Sequence, residues 1–395
     1  MTTPRRIAIA LELDKPYPHH QDVYAGVLHY AQDQPAWACY LDEYPDTGKG
    51  SMLSGEADYD GVIARTTPST QRNLKRLGIP LVNIHYQHHR RGVAGVYPDH
   101  DFIGRGAAEH LIGLGVHRLC FITDKIHKSS VNASKAFARH AQEEQVPCAV
   151  SYIAEPSYDQ KRSWLKMKKE LMDLLTGLKP PVGVYISTAS MARVLIQLAQ
   201  ANGWNVPRDM AVLSARHIPS IVEVSPTIST YEIDWHRIGY RAGELLDRLI
   251  DGGPTPDEPL LIAHGELIAR ESTDYRVVAD PVVAEALHYI ADHLQDRLTI
   301  IGIAYALNVS PRLLQQRFAE HLGVGASDEI RRLRLEKAKR LLAEPDRLIT
   351  SIPPAVGLNS ANAMNKLFIR ELGMTPSAYR RQILSDRLYS PTPKA

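Results

Sequence analysis

Cysteine is scarce in this chain of 395 residues: three thiols, Cys39, Cys120 and Cys148, lie far apart. So few argue against a disulfide framework and fit a reducing compartment. No unbroken apolar run is long enough to span a bilayer, which argues against a membrane-embedded protein. Arg5 and Arg6 precede Ile7–Leu11, but that run is too short for a signal-peptide core and reads as a strand, so the expected location is cytoplasmic. No bias in composition suggests disorder, collagen or a coiled coil. Missing too are a Gly-rich phosphate loop, a nucleophile-elbow pentapeptide and an H-E-x-x-H helix, so nothing points to an enzyme. Net charge is close to zero, at +2. It is unevenly spread: residues 276–395 hold 17 Lys and Arg against 12 Asp and Glu, while residues 1–275 hold 29 against 32. A basic C-terminal part agrees in sign with nucleic-acid binding.

The length predicts two or three domains. Over the first 270 or so residues, short apolar runs alternate with amphipathic stretches of helix length. Ile7–Leu13, Gly61–Ala64, Leu81–Ile84, Arg118–Thr123, Ala149–Ile153, Val182–Ile186, Ala211–Ser214 and Leu260–Ala263 read as strands. His20–Asp33, Thr70–Leu77, Ile103–Leu114, Ala133–Gln145, Trp164–Leu175, Ala189–Asn202 and Ile238–Leu249 read as helices. Such alternation predicts parallel sheets covered by helices, here in two lobes. From Asp280 to Ile383 only helices are expected. The expected domains are therefore residues 1–275, α/β and two-lobed; residues 276–384, all-α; and a tail, 385–395.

The helical part repeats itself at an offset of 49–50 residues. Ser310, Leu314, Phe318 and Gly323 recur as Ser360, Met364, Phe368 and Gly373, with the same steps of 4, 4 and 5. Each unit starts with a short apolar helix, Ile300–Leu307 or Ile349–Val356. A left-handed turn residue follows, Asn308 or Gly357. A capping serine then opens a second helix, with Pro311 well placed at its first turn in unit one. This is the helix-turn-helix pattern, whose second helix enters a major groove. Its outward face presents Arg312, Gln315 and Gln316 in unit one. In unit two it presents Ala361, Asn362, Asn365 and Lys366. Arg, Gln and Asn are the side chains that pair bidentately with base edges. Between the units, Ser327 is expected to cap a basic helix reaching Leu342.

These spacings, with Arg334–Leu342 and Gly373–Arg380, resemble the DNA-binding domain of the arabinose-regulator (AraC) family over residues 280–383. The resemblance implies base contacts from Arg312, Gln315, Gln316, Asn362, Asn365 and Lys366. Unit two departs from the family: Pro353 stands where a small residue is usual, and Leu358 where an aromatic is. Proline inside a helix costs about 3 kcal/mol, so the first helix of unit two is expected to start late or be distorted.

Asp60–Ile63, Ile79–Val82, Ile103–Leu111, Ile228–Leu246 and Arg270–Thr273 resemble the two-lobed periplasmic-binding-protein fold that serves the LacI-type repressors as sensor. The resemblance implies a transcription activator of carbohydrate genes, with an effector held between the lobes. It also implies a homodimer, a double-stranded DNA operator and RNA polymerase as partners, and no cofactor. Candidate effector contacts are Tyr17, His19, His20, Arg65, Arg216 and His217. The family's usual sugar-binding Arg and two Asp fall near Ala133, at Ala189 and at Arg216. Losing them argues against ordinary pentose binding. With His217 beside Arg216, the change favours an anionic effector, a sugar acid or sugar phosphate, over a neutral sugar. Two histidine clusters, His19-His20 and His85–His89, raise a metal-responsive or ligand-independent regulator as the alternative. Their spacing fits no tetrahedral set, and they read as solvated loop histidines. From another class, a sugar-transport protein or an enzyme would have no use for the tail.

Overall fold

The computed structural model describes residues 4–13, 18–34, 36–46, 59–156, 160–274, 280–342 and 347–381. It divides into two compact units, Met1–Arg276 and Val277–Ala395.

The strands of the first unit are β1 (Arg5–Ala10), β2 (Trp37–Leu41), β3 (Gly61–Ala64), β4 (Leu81–Asn83), β5 (Ala94–Pro98), β6 (Leu119–Thr123), β7 (Cys148–Tyr152), β8 (Val182–Ile186), β9 (Met210–Ser214), β10 (Ser229–Ile233), β11 (Leu260–Ile262) and β12 (Gly265–Ile268). Its helices are α1 (Pro18–Asp33), α2 (Pro68–Leu77), α3 (His100–Gly113), α4 (Lys128–Glu143), α5 (Lys161–Gly177), α6 (Ala189–Ala201), α7 (Pro219–Val222) and α8 (Trp235–Ile250).

Two six-stranded sheets result, ordered β11-β5-β4-β3-β1-β2 and β12-β10-β9-β8-β6-β7. All pairings are parallel except β10 with β12. The chain crosses between the lobes three times, after β5, after β10 and between β11 and β12. The crossings are tied together. Asp99 caps α3 and donates its N–H to Ile262 O at 3.0 Å, and His264 Nδ1 lies 3.4 Å from Asp234, the cap of α8.

Strands buried on both faces read as unbroken apolar runs, which is why β3 and β8 fall where the sequence puts them. β2, β5, β10 and β12 are additions. Each is short, polar or broken by Gly or Pro, and forms because a neighbouring strand offers its edge.

Helices α1 and α8 meet through two glycines. A Cβ on Gly239 would lie 1.9 Å from Val23 O, and one on Gly26 1.9 Å from His236 O. Backbone cannot yield as a flexible side chain can. Gly239→Val is therefore expected to cost about 3 kcal/mol or more, comparable with the worst overpacking. A melt in which this variant keeps the parental midpoint would contradict the packing described here.

The second unit contains α9 (Pro281–Asp292), α10 (Ile300–Ala306), α11 (Pro311–Leu322), α12 (Ala326–Leu342), α13 (Ile352–Ala355) and α14 (Ala361–Leu372). Two small cores hold it. One gathers Ile290, Ile303, Ala304, Leu314, Phe318 and Leu333. The other gathers Leu335, Ala338, Leu342, Ile352, Val356, Met364 and Phe368. Helix α12 supplies both, through Leu333 on one side and Leu335, Ala338 and Leu342 on the other. It begins at Ala326, so Ser327 lies inside its first turn, and the expected cap there is corrected.

Candidate effector cleft and DNA-reading surface

Asn308 and Gly357 both adopt the left-handed conformation, at φ 54° and 73°. At position 357 only glycine fits, since a Cβ would lie 2.2 Å from Leu294 O. Ser310 Oγ accepts from Leu313 N at 3.1 Å, and Ser360 Oγ from Ala363 N at 3.2 Å, so both second helices carry side-chain caps. Left-handed Gly323 and Gly373 close them.

The two units are unequal. Helix α10 runs for seven residues, whereas its counterpart is a 3₁₀ turn, Ile349–Ser351, followed by the four-residue α13. Pro353 and Pro354 cannot donate backbone hydrogen bonds, so α13 stays short.

Leu314 and Phe318 turn one face of α11 into the core, leaving Arg312, Gln315 and Gln316 exposed on the other. Arg312 and Gln315 have no side-chain partner among the described residues, while Gln316 Nε2 donates to Glu320 Oε1 at 2.8 Å. On α14, Asn362, Asn365 and Lys366 are exposed and likewise unpartnered among the described residues. Arg317, by contrast, is drawn toward Asp280, the cap of α9, at 3.5 Å.

In the first unit the strand ends of the two lobes converge on one cation-rich cleft. Arg65, after β3, bonds Glu12, after β1, at 2.7 Å. His20 is buried, and the His19 ring packs 4.4 Å from it and 4.6 Å from Trp235. Burial pushes His19 down to about 3, helped by the nearby charges of His20, Arg216, Arg65 and His85. Burial also takes His85, after β4, to about 3, with Arg65 and His88 adding to it. These rings are neutral at ordinary pH and can exchange hydrogen bonds with a hydroxyl-bearing ligand.

Arg216, after β9, is exposed, and its guanidinium has no partner among the described residues. Its charge reaches His19 on one lobe and His127 on the other. His217 is committed elsewhere: Nδ1 lies 3.0 Å from Glu232, and Arg270 stands 3.5 Å from Nε2. Burial would raise Glu232, but the His217 hydrogen bond and charge outweigh it and hold the carboxyl below its usual range. Tyr17 lies outside the described residues.

One expectation changes. His85, Tyr86, Gln87, His88 and His89 are half-buried, so they are not solvated loop residues. Among the described residues no three His, Cys, Asp or Glu side chains are grouped to hold a metal ion. Cleft residues outside the sequence reading also emerge. Gln87 spans the lobes: its Nε2 donates to Ile126 O at 3.1 Å, and its Oε1 accepts from Lys128 N at 2.9 Å. Asn132 Nδ2 donates to Tyr86 OH at 2.8 Å. The positions of the expected sugar ligands, Ala133 and Ala189, are buried methyls.

His127 Nδ1 lies 3.0 Å from both Asp124 oxygens. The Asp124 hydrogen bond raises His127, against burial, above its model-compound value of 6.5. Burial raises Asp124, but the His127 bonds outweigh it and take the carboxyl below 3.8. The histidine's contribution to stability is full below pH 6.5 and fades as pH rises through its folded value. The aspartate's is present above pH 3.8 and fades as pH falls through its own. The pair therefore stabilises most between about pH 4 and 6.5. His127→Gln is expected to lower the melting temperature more at pH 5.5 than at pH 8.5; an equal loss at both would count against the pair.

Comparison with known proteins completes the description. The periplasmic-binding-protein-like domain family matches residues 108–273, and a helix-turn-helix domain family matches residues 303–382. The xylose operon regulatory protein of Haemophilus influenzae is 26% identical over 95% of this chain and 98% of its own length. That of Escherichia coli K12 is 26% identical over 96% and 97%. A solved structure of a xylose-binding transcription activator superposes with a TM-score of 0.69 at 25% identity, covering 96% of this chain and 99% of that one. No described helix is long and apolar enough to cross a membrane. The chain is thus a DNA-binding transcription regulator and not an enzyme, with a periplasmic-binding-protein-like sensor and an AraC-type helix-turn-helix domain, built like the xylose operon regulatory proteins it resembles.

Proposed function

We propose that the chain is a cytoplasmic, homodimeric activator of carbohydrate-utilisation genes, switched by an anionic sugar derivative bound between the lobes. The observation that carries the effector class is Arg216: an exposed guanidinium without a partner among the described residues, close enough for its charge to act on His19 and His127. A sugar acid or sugar phosphate supplies the missing anion, and the neutral histidines serve its hydroxyls. His20, Arg65 and His217 line or brace the site.

Each tail would read one half-site of the operator, Arg312, Gln315 and Gln316 reading one part of it and Asn362, Asn365 and Lys366 the adjoining part. Closure of the lobes on the effector changes how the two tails of the dimer are presented to DNA, and so to RNA polymerase.

Calorimetry tests the effector class. A pentonic acid or a pentose phosphate is expected to bind at least about tenfold more tightly than free D-xylose, since a hydrogen bond to a charged group is worth about 1.5–3 kcal/mol. Tightest binding by D-xylose would overturn this reading.

A further inference from the structure

Helix α5 carries Lys161, Arg162, Lys166, Lys168 and Lys169, all exposed, within nine residues of a chain whose net charge is only +2. Among the described residues only Lys166 has an acidic partner, Glu170 at 3.8 Å. Met167, Leu171 and Leu175 form an adjoining stripe at a spacing of four and are buried in the core of their lobe. Lys161, Leu165, Lys168 and Lys169 share the outward face at the helical spacing of four, seven and eight. Trp164 and Leu165 stand exposed among these cations.

We propose that this face of α5 binds the phosphate backbone of DNA flanking the operator. Four exposed like charges without counter-charges among the described residues make a local positive field that attracts a polyanion. The regulator brings such a polyanion with it, because DNA held by the helix-turn-helix domain is tethered to the same chain. Tethering raises a weak contact to an effective concentration in the millimolar range. From Lys161 to Lys169 the helix rises about 12 Å. Phosphates repeat about every 3.4 Å of axis along one strand, so the face reaches about three of them. A membrane surface fits less well, because it needs a free apolar face and the main apolar stripe of α5 already lies in the protein core.

The test compares a minimal operator duplex, defined by footprinting, with the same duplex carrying 20 extra base pairs on each side. Three phosphate contacts are expected to steepen the slope of log K against log[salt] by about 2.7 on the long duplex. In the full chain, Lys161→Gln, Arg162→Gln, Lys168→Gln and Lys169→Gln together are expected to remove that difference while short-duplex binding stays parental. Lys169→Gln alone is expected to remove about one third of it. Equal slopes for the parent on both duplexes, or a difference that survives the fourfold change, would overturn the proposal. So would a variant that behaves normally on DNA but loses affinity for an acidic peptide such as polyglutamate. Failure of the parent to bind the short duplex at all would overturn the DNA-binding reading itself.

Discussion

Arg312→Ala combined with Gln315→Ala is expected to abolish operator recognition while leaving the fold intact. Both side chains are exposed on α11, opposite Leu314 and Phe318, and neither has a side-chain partner among the described residues to lose. A good bidentate base contact is worth about 1–3 kcal/mol, so the pair together governs roughly 2–6 kcal/mol, or about 30-fold to more than 10⁴-fold in affinity. The matching change in unit two, Asn362→Ala with Asn365→Ala, is expected to cost less. Helix α14 is supported by the four-residue α13 where α11 is supported by the seven-residue α10. Fluorescence anisotropy on an operator duplex and on a scrambled one measures both. A larger loss from the Asn pair would reverse the ranking of the two units.

Arg216→Glu is expected to eliminate the response to an anionic effector. The substitution replaces the cation with a carboxylate close to His19, and repulsion of like charges joins the loss of a charge-assisted hydrogen bond. The loss should be at least about 100-fold in effector affinity, since reversing the charge removes about 1.5–3 kcal/mol of attraction and adds repulsion. Arg216 is exposed, so the fold and operator binding without effector should stay parental. Unchanged effector affinity would remove Arg216 from the site.

The DNA-reading domain was the more legible part, for a physical reason. A helix-turn-helix unit is specified by contacts within some 25 residues: a left-handed turn, a serine cap, two apolar side chains four apart and a closing glycine. Ser310, Asn308, Phe318 and Gly323 therefore show themselves in sequence, and again 50 residues on. Even the defect was readable, because Pro353 and Pro354 limit α13 through local backbone chemistry. The cleft was less legible because its chemistry is set by distant partners. His85 looks like a loop residue until β4 and Arg65 surround it, and burial then governs its protonation. Gln87 carries no local signal, since its partners at Ile126 and Lys128 lie about 40 residues away on the other lobe. The omitted strands follow the same rule: Ser229–Ile233 is polar by composition and becomes a strand because β9 and β12 flank it.

The most direct test of the account is binding of the full chain to DNA from upstream of its own gene, at physiological salt, against a scrambled duplex of equal length. A sequence-specific regulator is expected to prefer the upstream DNA by about 10³-fold or more, with the preference shifted by an anionic sugar derivative and lost in the Arg312→Ala, Gln315→Ala variant. Equal affinity for both duplexes, unchanged by that variant, would contradict it.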